Sequence, residues 1–274
     1  MKIVSTREEL RSALAHSHKP AFVPTMGALH EGHVSLMHFA RSLGDAVIVS
    51  IFVNPTQFGA GEDFTEYPRT MEADLEKCAA AGVDVVFTPS VATLYPNGVG
   101  DISIDPGPLG AILEGAERPT HFRGVLTVVA KLLGLVQPAV AVFGEKDYQQ
   151  LVLIRRMVKE LSINTEIVGA PIIREADGLA MSSRNVYLSP ENREKSLAIH
   201  KALQAGVAAA GKSEAAVLAA AEEVLAQSGI TPDYLVVTDS ELGESKPGAD
   251  ARLLVAAKVG KPRLLDNIHL RLGN

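Results

Sequence analysis

Apolar positions along the chain follow two rhythms. Short, nearly continuous apolar runs occur at Ala21 to Val23, Ala46 to Val53, Val83 to Phe87, Ala139 to Phe143 and Glu166 to Val168. The run Ala46-Val-Ile-Val-Ser-Ile-Phe-Val53 is broken only by Ser50, as in a parallel strand covered on both faces. Between the runs, apolar residues recur at helical spacing and predict helices over Val34 to Leu43, Thr70 to Ala81, Arg123 to Val136 and Asp147 to Leu161. Gly82 follows the second of these, where a C-cap is expected. Strict alternation of strand and helix implies right-handed crossovers and a doubly wound, Rossmann-like parallel sheet of the α/β class. Ligands of such sheets sit at the carboxyl ends of the strands.

The rhythm changes after about Asn185. Ser189-Pro190 is a strong helix start, opening a helix to about Ala210. An alanine-rich helix follows from about Ser213 to Gln227 and stops near Gly229. Strand candidates at Tyr234 to Thr238, Arg252 to Ala257 and Arg263 to Ile268 complete a smaller C-terminal α+β domain. The expected domains are residues 1–185 and 186–274.

Composition narrows the function classes. With 274 residues, 47% of them hydrophobic, the chain can bury a large core, and extended disorder is excluded. Thirty-two acidic against 26 basic residues argue against a nucleic-acid binder, and the absence of Trp argues against stacking platforms. The single cysteine, Cys78, lies on the apolar face of a helix, where a buried thiol acts as a small hydrophobe. The polar N-terminus has no signal-peptide core. Val125 to Phe143 has the length of a membrane span but is interrupted by Lys131, Gly134, Gln137 and Pro138, so no membrane partner is expected. These features together suggest a soluble cytoplasmic protein.

Four clusters carry chemistry. Pro24-Thr-Met-Gly-Ala-Leu-His-Glu-Gly-His33 follows the first apolar run and enters a helix. Gly27 and Gly32 permit close backbone approach, the helix start favours an anion, and His30 and His33 would point at it. H-x-x-H is also met as a surface pair or a metal site, but zinc would need a third ligand, and this turn favours a nucleotide triphosphate. Ser50-Ile-Phe-Val-Asn-Pro-Thr-Gln-Phe58 leaves the buried run with Asn54 and Gln57 placed to line a pocket for a small polar acid, unless Asn54-Pro55 merely makes a turn. In Phe143-Gly-Glu-Lys-Asp-Tyr-Gln-Gln150, Gly144 admits a nucleotide, Lys146 is a cation and Asp147 an acceptor for ribose hydroxyls. The alternative is a helix cap beside a solvated charge. Arg174 to Asn185 offers Ser182, Ser183 and Arg184 to phosphate oxygens, with Gly178 as a hinge, or is a solvated interdomain loop.

The first cluster resembles the H-x-G-H signature of the nucleotidylyltransferase superfamily, and the longer string resembles the pantothenate synthetase (pantoate–β-alanine ligase) family. Glu66-Tyr-Pro-Arg-Thr70 and Arg118-Pro-Thr-His-Phe-Arg-Gly124 are similar to further family segments, with Thr120 where Gly is often found. Met181-Ser-Ser-Arg184 resembles the mobile K-M-S-K-S-like loop, and Asp233-Tyr234 and Leu265-Asp-Asn-Ile268 extend the likeness more weakly.

The resemblance implies ATP-dependent condensation of (R)-pantoate with β-alanine through pantoyl adenylate, giving pantothenate, AMP and pyrophosphate. It implies ATP contacts from Met26, Gly27, Ala28, Leu29, His30, Glu31, Gly32 and His33. Further ATP contacts are implied for Gly144, Glu145, Lys146, Asp147, Ile173, Met181, Ser182, Ser183 and Arg184. Gln57, Gln150 and Asn54 are the implied contacts of pantoate and β-alanine. His33, His30, Lys146 and Arg184 are the implied catalytic group, with His33 donating a proton or hydrogen bond to the leaving group. Mg²⁺ would accompany ATP, with no protein ligands for a metal assigned. A homodimer is implied, with the C-terminal domain as lid or dimer contact. Two other classes share parts of the pattern: a nucleotidylyltransferase acting on a phosphorylated acceptor, and a nucleotide-sensing module without turnover.

Overall fold

In the computed structural model, which describes residues 1–274, the chain divides into two compact units. The first comprises residues 1–145 and 149–171, the second residues 146–148 and 172–274.

The first unit is built on strands β1 (Lys2–Val4), β2 (Pro20–Thr25), β3 (Ala46–Ile51), β4 (Val85–Phe87), β5 (Val140–Gly144) and β6 (Glu166–Ala170). Helices α1 (Arg7–Leu14), α2 (Glu31–Leu43), α3 (Met71–Ala80), the single turns α4 (Val91–Leu94) and α5 (Glu114–Glu117), α6 (His121–Val136) and α7 (Tyr148–Glu160) connect them. All six strands are parallel, in the order β1-β4-β3-β2-β5-β6. The expected doubly wound α/β sheet is therefore present. Strand order reverses between β2 and β5, so their carboxyl ends flank the switch-point crevice where such sheets bind ligands.

β3 is buried from Val47 to Ile51, as its apolar run requires. The α6–β5 stretch is a helix and a strand separated by Gln137 in the left-handed conformation (φ 48°), and no helix is long and apolar enough to cross a membrane. Cys78 is fully buried, and burial first, then the nearby Asp74, pushes its thiol pKa up to about 11.

The sequence pattern missed β1 and α1. β1 is a three-residue edge strand with only Val4 buried, and α1 buries only Leu10, so neither carries an apolar run. What starts α1 is a capping box, Thr6 with Glu9. A second difference concerns α2, which begins at Glu31 rather than Val34 because His30 itself is the N-cap.

The second unit contains α8 (Pro190–Ala209), α9 (Glu214–Gln227), β7 (Pro232–Thr238), β8 (Asp250–Lys258) and β9 (Arg263–Arg271). The strands form an antiparallel sheet in the order β7-β8-β9, giving the expected smaller α+β unit. Ser189 accepts from Asn192 N–H, capping α8 as its sequence predicts, and Ser213 accepts from Ala216 N–H at the start of α9. Ile199, Leu203, Val217, Leu225, Leu253 and Val255 are fully buried in the core between helices and sheet. Gly206 lets α8 approach: a Cβ there would lie 2.5 Å from Leu253 Cδ2.

The units divide at 171/172, earlier than the expected 185/186. Ion pairs tie residues 172–185 into the second unit. Arg174 forms a two-pronged ion pair with buried Asp266 (2.6 and 3.0 Å), and Arg193 bonds Glu175 and Asp177 at 2.7 Å each. Asn185 Nδ2 donates to Glu175 and to the Ala180 carbonyl. Residues 146–148 join this unit through Asn267 Nδ2, which donates to the Lys146 carbonyl, and Tyr148, whose hydroxyl donates to the Ser240 carbonyl (2.9 Å each).

Leu203→Ala removes a fully buried side chain from the second unit's core. It should destabilise that unit by about 2–5 kcal/mol, read as a lowered midpoint in urea unfolding followed by far-UV circular dichroism.

Candidate active site

At the carboxyl end of β2 the chain leaves the sheet through a tight turn. Thr25 Oγ1 donates to the Ser50 carbonyl (2.7 Å) and accepts from Gly27 N–H (3.2 Å). Gly27 (φ 84°) and Ala28 (φ 51°) are both left-handed. For Ala28 this costs about 1 kcal/mol. The cost is offset by the Asp74 carboxylate, which accepts from Ala28 N–H (2.9 Å) and Leu29 N–H (2.8 Å); such charged hydrogen bonds contribute about 1.5–3 kcal/mol each. Gly27 has no room for a side chain, since a Cβ would sit 3.0 Å from Asp74 Oδ2 and 3.1 Å from Ile51 Cγ2.

The two histidines follow. His30 Nδ1 accepts from Gly32 N–H (3.1 Å), and His33 Nδ1 accepts from His30 N–H (3.3 Å). Their rings are 4.1 Å apart. A nitrogen that accepts from a backbone N–H carries no proton, so each neutral ring is protonated at Nε2. The pair therefore presents Nε2–H donors beside a helix N-terminus, which suits phosphate oxygens.

The second cluster is a 3₁₀ turn over Pro55–Gln57 at the end of β3. Asn54 lies beneath it, 1% exposed. Its Nδ2 donates to Gln57 Oε1 (3.1 Å) and the Gly124 carbonyl (3.2 Å). Its Oδ1 accepts from Tyr95 OH (2.8 Å), Thr56 Oγ1 (3.0 Å) and Thr56 N–H (3.4 Å). The amide is fully occupied within the protein, so Asn54 orients Gln57 and has no hydrogen-bonding capacity left for a substrate. Gln57 Nε2 instead lies 3.1 Å from Met26 Sδ, which brings this turn and the histidine turn together.

The Arg118 to Gly124 string also serves Gln57. His121 Nδ1 donates to the Gln57 carbonyl (2.9 Å), and Arg118 Nη2 reaches the same oxygen (3.3 Å). Arg118 also pairs with Glu62. Burial raises the Glu62 pKa, but the Arg118 hydrogen bond and charge outweigh it and hold the carboxyl below its usual value. Gly124 permits contact of α6 with the turn: a Cβ there would meet the Thr56 carbonyl oxygen at 2.3 Å.

The adjacent glutamines at the start of α7 divide their work. Gln149, buried, donates to the Leu109 and Ile112 carbonyls (2.8 Å each) and accepts from Glu114 N–H (3.0 Å). Gln150 is half-buried and its amide bonds no protein group, so it is the one able to bind a ligand. Gly144 ends β5, with open space where a Cβ would project, and Glu145 opens the 3₁₀ turn that follows.

The remaining candidates lie in the second unit. Lys146 Nζ is 3.5 Å from Asp147 Oδ1. Lys146, Ser182, Asn185, Arg263 and Asp266 line one small cavity, which also touches Leu179 and Ala180. The Arg174 to Asn185 segment is an ordered loop: Met181 N–H donates to the Ile173 carbonyl (3.0 Å), and Ser182 Oγ accepts from Arg184 N–H (3.3 Å). Ser183 and Arg184 continue into a 3₁₀ turn. Gly178 is left-handed (φ 97°) and packs on His200, which a Cβ would approach to 2.7 Å. Burial, then the charge of Arg174, lower the His200 pKa against the opposing pull of Asp266.

Residues 2–269 match the family model for pantoate-beta-alanine ligase. The chain belongs to the pantoate–β-alanine ligase family. It is an enzyme, a ligase of that family. A pantothenate synthetase from Nocardioides sp. is 55% identical, with 99% of this chain and 86% of the relative aligned. One from Saccharopolyspora erythraea is 57% identical over 96% of this chain and 88% of its own length. The crystal structure of pantothenate synthetase from Thermus thermophilus superposes with a TM-score of 0.92 at 48% identity, covering 98% of this chain and 99% of that one. The pantoate-beta-alanine ligase of Francisella tularensis, solved with a β,γ-ATP compound and β-alanine, gives 0.82 at 38% identity, covering 98% and 97%.

Sequence reading missed Asp74, and it offered Asn54 as a substrate contact where the structure ties the Asn54 amide to Gln57, Gly124, Thr56 and Tyr95. Asp74 is buried on α3, far along the chain from the turn it holds, and its only local signal was a carboxylate on the apolar side of a helix. Asn54→Ala would remove the bonds to Tyr95 OH, Gln57 Oε1 and the Gly124 carbonyl, costing about 1–3 kcal/mol. Gln150→Ala, which breaks no protein hydrogen bond, should leave the urea midpoint unchanged. Urea unfolding of the two variants side by side checks this contrast.

Proposed function

We propose that the chain condenses (R)-pantoate with β-alanine at the expense of ATP, in two steps. A pantoate carboxylate oxygen attacks the α-phosphorus of ATP and pyrophosphate leaves, giving pantoyl adenylate. The β-alanine amine then attacks the acyl carbon, the C–O bond to AMP breaks, and the amine proton is lost to solvent. The observation that carries this reading is the histidine turn. It sets two Nε2–H donors at a helix N-terminus beside the switch point of a parallel sheet. The family match and the complex of the Francisella relative with a β,γ-ATP compound and β-alanine support it.

In this reading His30 and His33 act as neutral hydrogen-bond donors to phosphate oxygens, with His33 assisting the leaving group, while Lys146 and Arg184 supply positive charge. The backbone of Met26 to Leu29, Glu31 and Gly32 lies along the phosphates, and Gly144, Glu145, Asp147, Ile173 and Met181 to Ser183 complete the ATP contacts. Gln57 and Gln150 hold pantoate. Mg²⁺ enters with ATP in this reading, as the counter-ion of its phosphates. The family resemblance also supports a homodimer working in the cytoplasm.

Pyrophosphate exchange into ATP, with Mg²⁺ and pantoate but without β-alanine, tests the first step. Exchange that depends on pantoate is expected, and His33→Ala and Lys146→Ala should each lower it about 10²- to 10³-fold without loss of fold. Native rates in either variant would refute the role of the residue replaced. Gln57→Ala should weaken pantoate binding in calorimetry and spare ATP; loss of ATP binding alone would contradict the assignment.

A further inference from the structure

Two side chains of α3 grip one residue of the histidine turn from both sides. Asp74, 1% exposed, accepts the Ala28 and Leu29 N–H groups (2.9 and 2.8 Å) and the Thr70 hydroxyl (3.1 Å). Three residues further along the same face, Lys77 Nζ donates to the Leu29 carbonyl (2.5 Å). Leu29 is thus held at its N–H and at its C=O by opposite charges of one helix. The next residue is His30, whose own N–H fixes the His33 ring.

We infer that Asp74 and Lys77 are positioning residues for the reaction. They fix the backbone of Leu29, and through it the directions of the His30 and His33 Nε2–H groups, without touching substrate. Burying a carboxylate is costly unless its oxygens are bonded, and this one is bonded almost entirely to the turn. A neutral apolar side chain at position 74 would fill the same space, but it could not accept the Ala28 and Leu29 N–H groups that leave the left-handed pair Gly27-Ala28. Because a displacement of about 1 Å can cost up to 10²-fold in rate, a clamp one residue from the catalytic pair controls the rate rather than substrate affinity.

The inference rests on the role proposed for His33, and the test separates the two. Pantoate-dependent exchange is measured for D74N, D74A and K77M, each in the native and the H33A background, with KM for ATP and pantoate and a thermal midpoint for every variant. In the native background D74N should lower kcat about 10- to 100-fold and leave the pantoate KM within about twofold. In the H33A background most of that loss should vanish, because the group being positioned is gone. A folded D74N with native kcat, or a D74N loss of equal size in both backgrounds, would overturn the clamp. If D74A does not fold, D74N and K77M carry the test, since both preserve the shape of the replaced side chain. An H33A enzyme as fast as the native one removes the role of His33 and the clamp with it; an impaired H33A beside an unimpaired D74N removes the clamp alone.

Discussion

Four consecutive backbone N–H groups leave the end of β2 with no strand to bond, and the site exists because side chains meet all four. Thr25 takes Gly27, Asp74 takes Ala28 and Leu29, and the His33 ring takes His30. An unpartnered N–H buried at this point would cost as much as a lost hydrogen bond, so the turn can adopt its left-handed path only with these acceptors in place. The same bonds leave the outer nitrogens of both imidazoles as donors.

The turn after β3 solves a similar problem with amides. Asn54 spends its whole hydrogen-bonding capacity inside the protein, and Arg118 and His121 hold the Gln57 carbonyl from the other side. The Gln57 side chain is left against Met26, next to the histidine turn. Gln149 is likewise saturated inside the protein, while the Gln150 amide beside it bonds no protein group.

Much of the fold was legible because a buried parallel strand cannot disguise itself: Val47 to Ile51 must be apolar if both faces are covered. The cap at Ser189 was legible for a related reason, since a helix end must find acceptors within its own first turn. β1 and α1 escaped notice because an edge strand and a half-solvated helix bury one residue each. The Arg174–Asp266 pair, which ties the segment before Asn185 to the second unit, was not legible because it joins positions 92 residues apart.

The sequence by itself determined the order of elements, the three strand-to-helix turns that carry the histidines, the amides and Lys146, and, through the length of its likeness, the family. These are local properties: periodicity, glycine placement and motif spacing are written in consecutive residues. The tertiary structure decided which side chains support and which are left to act. Asp74 and Lys77 reach the turn from another helix, Asn54 is saturated by Tyr95 and Gly124, and the imidazole tautomers follow from backbone N–H groups whose positions exist only once the chain is folded. Hydrogen bonds are short and directional, so their partners are set by proximity in space, which residue spacing along the chain does not encode.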